Sequence, residues 1–245
     1  EVPDGQMVIF SAHGVPPEVR KEADRRGLRV LDATCPLVTK VHVEAVRFGG
    51  KDHTILLVGH RDHPETIGTL GEAPDRTVVV ETVEDAEAVQ VPDPNKVVVL
   101  TQTTLSVDDT SEVVNILRTR FPNVILRNDI CYATTNRQAA VKAIAGRCEA
   151  LFVIGAPNSS NSKRLVEVAI GSGCDHARLI QRAGDIDWEA LSGRTRIGIS
   201  AGASAPEILV EEVLDAFRER YDVTMEEVTT TREDMEFKLP VELRP

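Results

Sequence analysis

Apolar residues along the chain fall into short, β-branched runs, separated by amphipathic stretches with small polar clusters between them. The runs predict strands over residues 8–10, 28–31, 54–58, 78–80, 97–100, 124–126, 150–154, 177–180 and 196–199. The amphipathic stretches predict helices over 17–26, 37–47, 65–70, 107–120, 135–147, 162–171 and 205–221. Strands that alternate with helices in this way read as an α/β protein built on parallel sheet. One pattern repeats. LRVLDATC over 28–35 and VILRNDIC over 124–131 both run strand, Asp, cysteine, helix, with their cysteines 131 − 35 = 96 residues apart. Each block predicts a small lobe with its cysteine at a strand-to-helix junction, where right-handed crossovers place functional loops along one sheet edge. A third, earlier block is expected ahead of Glu1.

Each strand runs into a polar cluster: SAHG (11–14), DATCP (32–36), GHRDHPE (59–65), TQTTLS (101–106), DICYATTN (129–136), GAPNSSNSKR (155–164) and SAGASAP (200–206). In a parallel sheet these loops gather at the carboxyl ends of the strands, with helix N-termini aimed at the same crevice. Such an edge suits a phosphorylated ligand. For any single loop, helix capping accounts for the Ser, Thr, Asn and Asp equally well. The run NSSNS (158–162) is different, because one helix start needs one cap and this run supplies five adjacent hydrogen-bonding side chains.

Composition narrows the class. Of the 245 residues, 42% are hydrophobic and 27% charged, and no apolar run is long enough to span a bilayer, so neither membrane insertion nor disorder is indicated. The N-terminus has no signal-peptide character, so a cytoplasmic protein is expected. It also lacks an initiator Met, and the apolar run 7–10 reads as a strand already inside a fold, so a preceding segment is expected. With 28 Lys and Arg against 39 Asp and Glu, the net charge of −11 disfavours nucleic acid or anionic membrane as partners. An anionic ligand must then be held by local N–H groups and hydroxyls.

Four cysteines, Cys35, Cys131, Cys148 and Cys174, in a chain without secretory features read as reduced thiols or metal ligands, although no pair forms CxxC. Cys35 and Cys131 occupy equivalent junctions, so their thiolates can converge on one metal centre. Cys148 and Cys174 read as small core residues. His13 and the tripeptide His63-Pro64-Glu65 supply acid-base groups. Glu65 is either tuned by burial and nearby imidazoles or merely complements a helix dipole from solvent. His60 and His63, three apart, suggest zinc only weakly, since no third ligand of regular spacing follows. His42, His53 and His176 read as surface or helix-face residues.

The motifs FSAHGV, LDATCPLVTKVH, GHRDHPE, LTQTTLSVDDT, NDICYATTNRQ, NSSNSKRL and AGASAP, in this order, closely resemble the 4-hydroxy-3-methylbut-2-enyl diphosphate reductase family, and the terminal FKLPVELRP is similar to that family's tail. The resemblance implies three small parallel-sheet α/β lobes in a trefoil-like arrangement around a central 4Fe-4S cluster, held by one cysteine from each lobe. An incomplete first lobe would cover 1–35, the second 36–130 and the third 131–221, with 222–245 as a tail returning to the first. Cys35 and Cys131 match two cluster ligands. The third, and a further substrate-binding histidine, are expected in the preceding segment. A 3Fe-4S form or a missing cluster are the alternatives.

By the same resemblance, Glu65 matches a proton-delivering glutamate and Thr103 a threonine that helps relay the proton. His13, His63 and Thr104 match substrate contacts, while Ser159, Ser160, Asn161 and Ser204 match residues that bind the diphosphate. The implied reaction is reductive dehydroxylation to isopentenyl and dimethylallyl diphosphates, with electrons from a ferredoxin or flavodoxin. Two rivals stand beside it: a cluster-free phosphate-ligand binding module that keeps the crevice, and a zinc hydrolase using His60, His63 and a cysteine.

Overall fold

Three runs of the chain, TILLV, VVVLT and ALFVI, are buried at every position. Unbroken burial needs a strand covered on both faces, as in a parallel sheet whose crossovers pack on either side. These runs form β3 (Thr54–Val58), β5 (Val97–Thr101) and β7 (Ala150–Ile154), while β4 (Thr77–Val80) and β8 (Ala177–Ile180), at sheet edges, have exposed positions. The remaining strands are β1 (Met7–Phe10), β2 (Arg29–Asp32), β6 (Ile125–Leu126) and β9 (Ile197–Ala201). The computed structural model describes residues 2–127, 129–240 and 243. Of the FKLPVELRP tail, residues 241, 242, 244 and 245 lie outside the described residues.

Among the described residues the strands make three sheets with orders β1-β2, β4-β3-β5-β6 and β8-β7-β9, and every pairing is parallel. Helices link them: α1 (Pro17–Arg25), α2 (Pro36–Gly49), α3 (Pro64–Glu72), α4 (Val83–Ala88), α5 (Val107–Arg120), α6 (Tyr132–Ala145), α7 (Ser160–Gly171) and α8 (Glu207–Arg218). The chain is thus an α/β protein of small parallel sheets. Two compact units are present. Unit 1 comprises Glu1–Thr103, Asp108–Ile130 and Met235–Pro245 and holds the first two sheets, while unit 2 comprises Thr104–Val107 and Cys131–Asp234 and holds the third.

Strand order matters more for the site than strand count. In unit 1, β3 passes through α3 to β4 on one side, and the chain then crosses back to β5 on the other. The junction of β3 and β5 is therefore a switch point, where the two following loops diverge and leave a crevice at the carboxyl ends. In unit 2 the order β8-β7-β9 repeats this at β7 and β9.

Helix starts differ from the sequence expectation for a local reason. The helices expected from Leu37 and Glu65 begin one residue earlier, at Pro36 and Pro64, because proline at the first helical position gives up an N–H that had no partner anyway. The helix expected from Ala205 begins at Glu207, after Pro206 as N-cap. α4 was not expected, since VEDAEA buries only Ala86 and shows no apolar stripe. Its signal was the Thr82 and Asp85 pair, which forms a reciprocal capping box. The same kind of pairing places Asp185 at the end of a 3-10 turn, Ala183–Asp185, that also escaped the apolar pattern.

The core of the four-stranded sheet joins Ile55, Leu57, Val98 and Leu100 to Val41, Ala45 and Phe48 of α2. Leu100 is wholly buried two residues before the loop that bears Gln102 and Thr103. Leu100→Ala is expected to cost about 2–5 kcal/mol of stability through lost transfer energy and a residual cavity, measured by urea denaturation; a loss below about 1 kcal/mol would contradict the packing described.

Candidate functional site

The site in unit 1 begins where β3 ends. Gly59 has no room for a side chain, since a Cβ there would lie 2.7 Å from Thr66 Oγ1 and 3.1 Å from Gln102 Cβ. The loop after β3 is thereby pressed against the loop after β5. Gln102 joins them: its Oε1 accepts from the His60 N–H at 3.0 Å and from Thr66 Oγ1 at 3.4 Å. Sequence reasoning missed Gln102, although it sits in the TQTTLS cluster.

Glu65, in the first turn of α3, is 4% exposed, which removes the reading of it as a solvated dipole partner. Its Oε2 accepts from Thr103 N at 2.9 Å and Thr103 Oγ1 at 2.8 Å. Burial pushes its pKa above the ordinary carboxyl value, an effect partly offset by the two Thr103 hydrogen bonds and by nearby His13. With both donors on Oε2, a proton on the neutral carboxyl would sit on Oε1. His63 caps α3, its Nδ1 accepting from the Glu65 N–H at 3.2 Å. Burial, and then the His13 and His60 imidazoles, pull His63 down to about 4. A neutral ring that accepts at Nδ1 carries its proton on Nε2, which is left to donate.

His13 stands beside this pair. Its ring lies 5.5 Å from that of His63, nearly perpendicular at 81°, and its Nδ1 is 3.1 Å from Ser11 Oγ. Sequence-predicted His13, His63, Glu65 and Thr103 thus come together in unit 1. His60 is engaged elsewhere, with Nδ1 3.0 Å from Glu81 Oε1. Among the described residues no group of three or more His, Cys, Asp or Glu is placed to hold a metal ion.

Of the two readings of His42, surface or helix-face, the helix-face one holds. His42 is not a surface residue: it is 6% exposed on the inner face of α2, with Nδ1 3.0 Å from Glu72 Oε1. The 3.6-residue period placed it one position after Val41 and one turn after Val38, both buried, which was the available signal. His42 and Glu72 also border a cavity of about 430 Å³ lined in addition by Arg20, Asp32, Thr34 and Arg47. None of the sequence-predicted site residues lines it, so the cavity is not the candidate site. His53 packs its ring 5.3 Å from Phe48, and His176 is exposed.

Unit 2 builds a cradle at β7 and β9. A Cβ on Gly155 or on Gly202 would fall 2.2 or 2.1 Å from Ser162 Oγ, so both strand-end loops lie directly on the first turn of α7. Ser159 is the cap: its Oγ accepts from Ser162 N at 3.2 Å and lies 3.0 Å from Ser162 Oγ. Two members of the NSSNS run are accounted for in this way. Asn161 is not. It is 6% exposed, yet neither its Nδ2 nor its Oδ1 has a hydrogen-bond partner. A buried amide without partners costs about 1–3 kcal/mol per group, a cost that a polar ligand would remove. Thr104 Oγ1 donates to Ser160 Oγ at 3.1 Å, and Ser204 is exposed in the turn after β9, where Ala205 N donates to Gly202 O. Gln138, missed in the sequence, is buried and holds the segment bearing Thr104, accepting from Val107 N and donating to Leu105 O.

The two repeated cysteine blocks adopt the same local geometry. Cys35 is the N-cap of α2 with φ −58° and ψ 132°, and Cys131 is the N-cap of α6 with φ −60° and ψ 136°. Neither side chain is spent on capping its helix, and both are half-buried thiols. A helix N-terminus favours a thiolate. Cys148 and Cys174 differ: both pack in or against the core beneath α6 and α7, where burial pushes their thiols up.

Comparison with known proteins gives a consistent answer. A family model described as LytB protein matches residues 1–218. A protein of Cereibacter sphaeroides named 4-hydroxy-3-methylbut-2-enyl diphosphate reductase is 58% identical, with the match covering all of this chain and 77% of that protein. A protein of the same name from Ruegeria pomeroyi is also 58% identical over all of this chain and 78% of its own length. Among solved structures, the E-1-hydroxy-2-methyl-but-2-enyl-4-diphosphate reductase from Plasmodium falciparum superposes with a TM-score of 0.93 at 36% identity, covering 98% of this chain and 77% of that one. With a family model spanning most of its length and relatives well above half identical, the chain belongs to the LytB family of reductases.

Proposed function

We propose that this protein reduces 4-hydroxy-3-methylbut-2-enyl diphosphate, replacing the allylic C–O bond by C–H with two electrons and two protons and releasing water. Isopentenyl and dimethylallyl diphosphates are the products. The observation that carries this reading is the Glu65 carboxyl, buried at the β3/β5 switch point and held through Oε2 by Thr103. Cys35 and Cys131 fit as thiolate ligands of an iron-sulfur cluster, because each places a half-buried Sγ at a helix N-terminus. When bound, such a cluster supplies the electrons and an iron without a protein donor, a Lewis acid for the hydroxyl oxygen. A ferredoxin or flavodoxin is the proposed electron source.

The protein's own groups do the rest. Glu65 Oε1 holds the proton that the departing hydroxyl needs, and its raised pKa keeps that proton available. Thr103 orients the carboxyl and offers a hydroxyl through which the proton can be replaced. Neutral His63 donates from Nε2 to a substrate oxygen without adding charge, and His13 lies close enough to share the same substrate. In unit 2, the Asn161 amide, the Ser160 and Thr104 hydroxyls, Ser159 and exposed Ser204 supply donors for diphosphate oxygens, together with the N–H groups at the start of α7.

In the gene-encoded protein purified anaerobically, iron and sulfide analysis with a visible spectrum should show a brown cluster protein; a colourless protein that still binds the diphosphate would replace this reading with a phosphate-binding module. Glu65→Gln should keep the cluster absorbance and lower turnover by about 100-fold or more, and unchanged turnover would sink the proton-donor role. Asn161→Ala, alone or with Ser159→Ala, should raise KM with little change in kcat, since these groups are remote from the cleaved bond. A loss confined to kcat would contradict the assignment.

Protonation gives an independent check. His63 has a folded pKa of about 4 against an ordinary value of 6.5, so the folded chain binds fewer protons than the unfolded one and loses stability as pH falls from 6.5 towards 4. Histidine NMR should show its ring signals constant from about pH 8 to about pH 5. Glu65 has the opposite sign. Its raised pKa makes ionisation destabilising as pH climbs above 4.5, so the stability of Glu65→Gln relative to the parent should rise with pH above 4.5 in urea titrations.

A further inference from the structure

His42 lies on α2, outside the groups assigned to the chemistry, yet it touches both elements that carry them. Its Cε1 would lie 2.9 Å from a Cβ on Gly14, and its Nε2 3.1 Å from a Cβ on Gly68. Gly14 follows His13 and holds φ at +75°, a conformation that L side chains rarely adopt. Gly68 lies one turn after Glu65 on α3, the helix capped by His63. One imidazole edge is therefore wedged between the loop of His13 and the helix of His63 and Glu65.

A second tie runs beside the first. Glu72, in the last turn of α3, accepts from His42 Nδ1 at 3.0 Å and is ion-paired with Arg20. Arg20 also donates to Val15 O at 3.0 Å, immediately after Gly14. The end of α3 thus grips the His13 loop through two side chains. The His42 Nε2 is buried without a hydrogen-bond partner. An apolar residue of similar size would fill the space without orphaning a ring nitrogen, so the imidazole serves through its Nδ1 bond and its slim edge.

We infer that His42 is a positioning residue, which sets the separation of the His13 and His63 imidazoles by wedging Gly14 against Gly68 while anchored to Glu72. The inference rests on the reading of His13 and His63 as substrate contacts. Glu65 is less exposed to its loss, because Thr103 holds the carboxyl from the end of β5. Removing His42 should therefore affect substrate binding more than the chemical step.

In the gene-encoded cluster-bearing protein, His42→Ala should raise KM about tenfold with kcat within about twofold. It should also shift the His13 and His63 ring resonances in histidine-labelled NMR at unchanged circular dichroism. Gly68→Ala, which pushes a methyl against the ring, should impair binding, and combining it with His42→Ala should bring KM back towards that of the parent. A folded His42→Ala protein with KM and both ring resonances unmoved would overturn the inference, as would a loss of kcat at constant KM. Should His42→Ala fail to fold, Gly68→Ala decides alone: an unmoved KM and unmoved rings would overturn the inference. If the parent protein has no turnover, the proposed function fails, whereas the ring resonances of the variants still decide the role of His42.

Discussion

A carboxyl group can leave water only if its oxygens are met by donors, and Glu65 is met by one residue, Thr103, through its backbone N–H and its hydroxyl. That requirement reaches far into unit 1. Thr103 can stand opposite Glu65 only because β3 and β5 are hydrogen-bonded neighbours, although β4 and α4 lie between them in the chain. Gly59 must lack a side chain for the two loops to approach, and Gln102 must bridge them. Even the proline at the start of α3 contributes, by fixing the helix entry between His63 and Glu65.

Unit 2 reaches a comparable arrangement by different chemistry. Its switch point at β7 and β9 is closed by Gly155 and Gly202 resting on Ser162, with Asn161 and Ser162 buried in the first turn of α7. Acid-base groups gather in unit 1, whereas unit 2 gathers hydroxyls and an unsatisfied amide. A chain of net charge −11 can still bind an anion locally, because helix N–H groups and neutral side chains are donors whatever the net charge.

Much of this was legible in the residues, for identifiable reasons. β3, β5 and β7 were read correctly because burial on both faces demands an unbroken apolar run. The repeated strand-Asp-cysteine-helix blocks signalled matching junctions, and Cys35 and Cys131 share backbone angles within a few degrees. α4 was missed because its stability comes from a capping box rather than from an apolar stripe. For His42 the residues left surface and helix-face readings open, because its partner, Glu72, lies on another helix.

By itself the sequence determined the alternation of strands and helices, the polar strand ends and the family to which they belong, since these depend on local periodicity and on residues adjacent in the chain. Only the tertiary structure decided the state of each group. It buried Glu65 and raised its pKa, turned His63 into a neutral donor, used Ser159 as a cap and left Asn161 without a partner. The physical reason is that desolvation and hydrogen-bond satisfaction are set by neighbours distant in sequence, as Thr103 is from Glu65. A motif names the groups that can react, while the strand order that brings their partners within 3 Å decides which form each group takes.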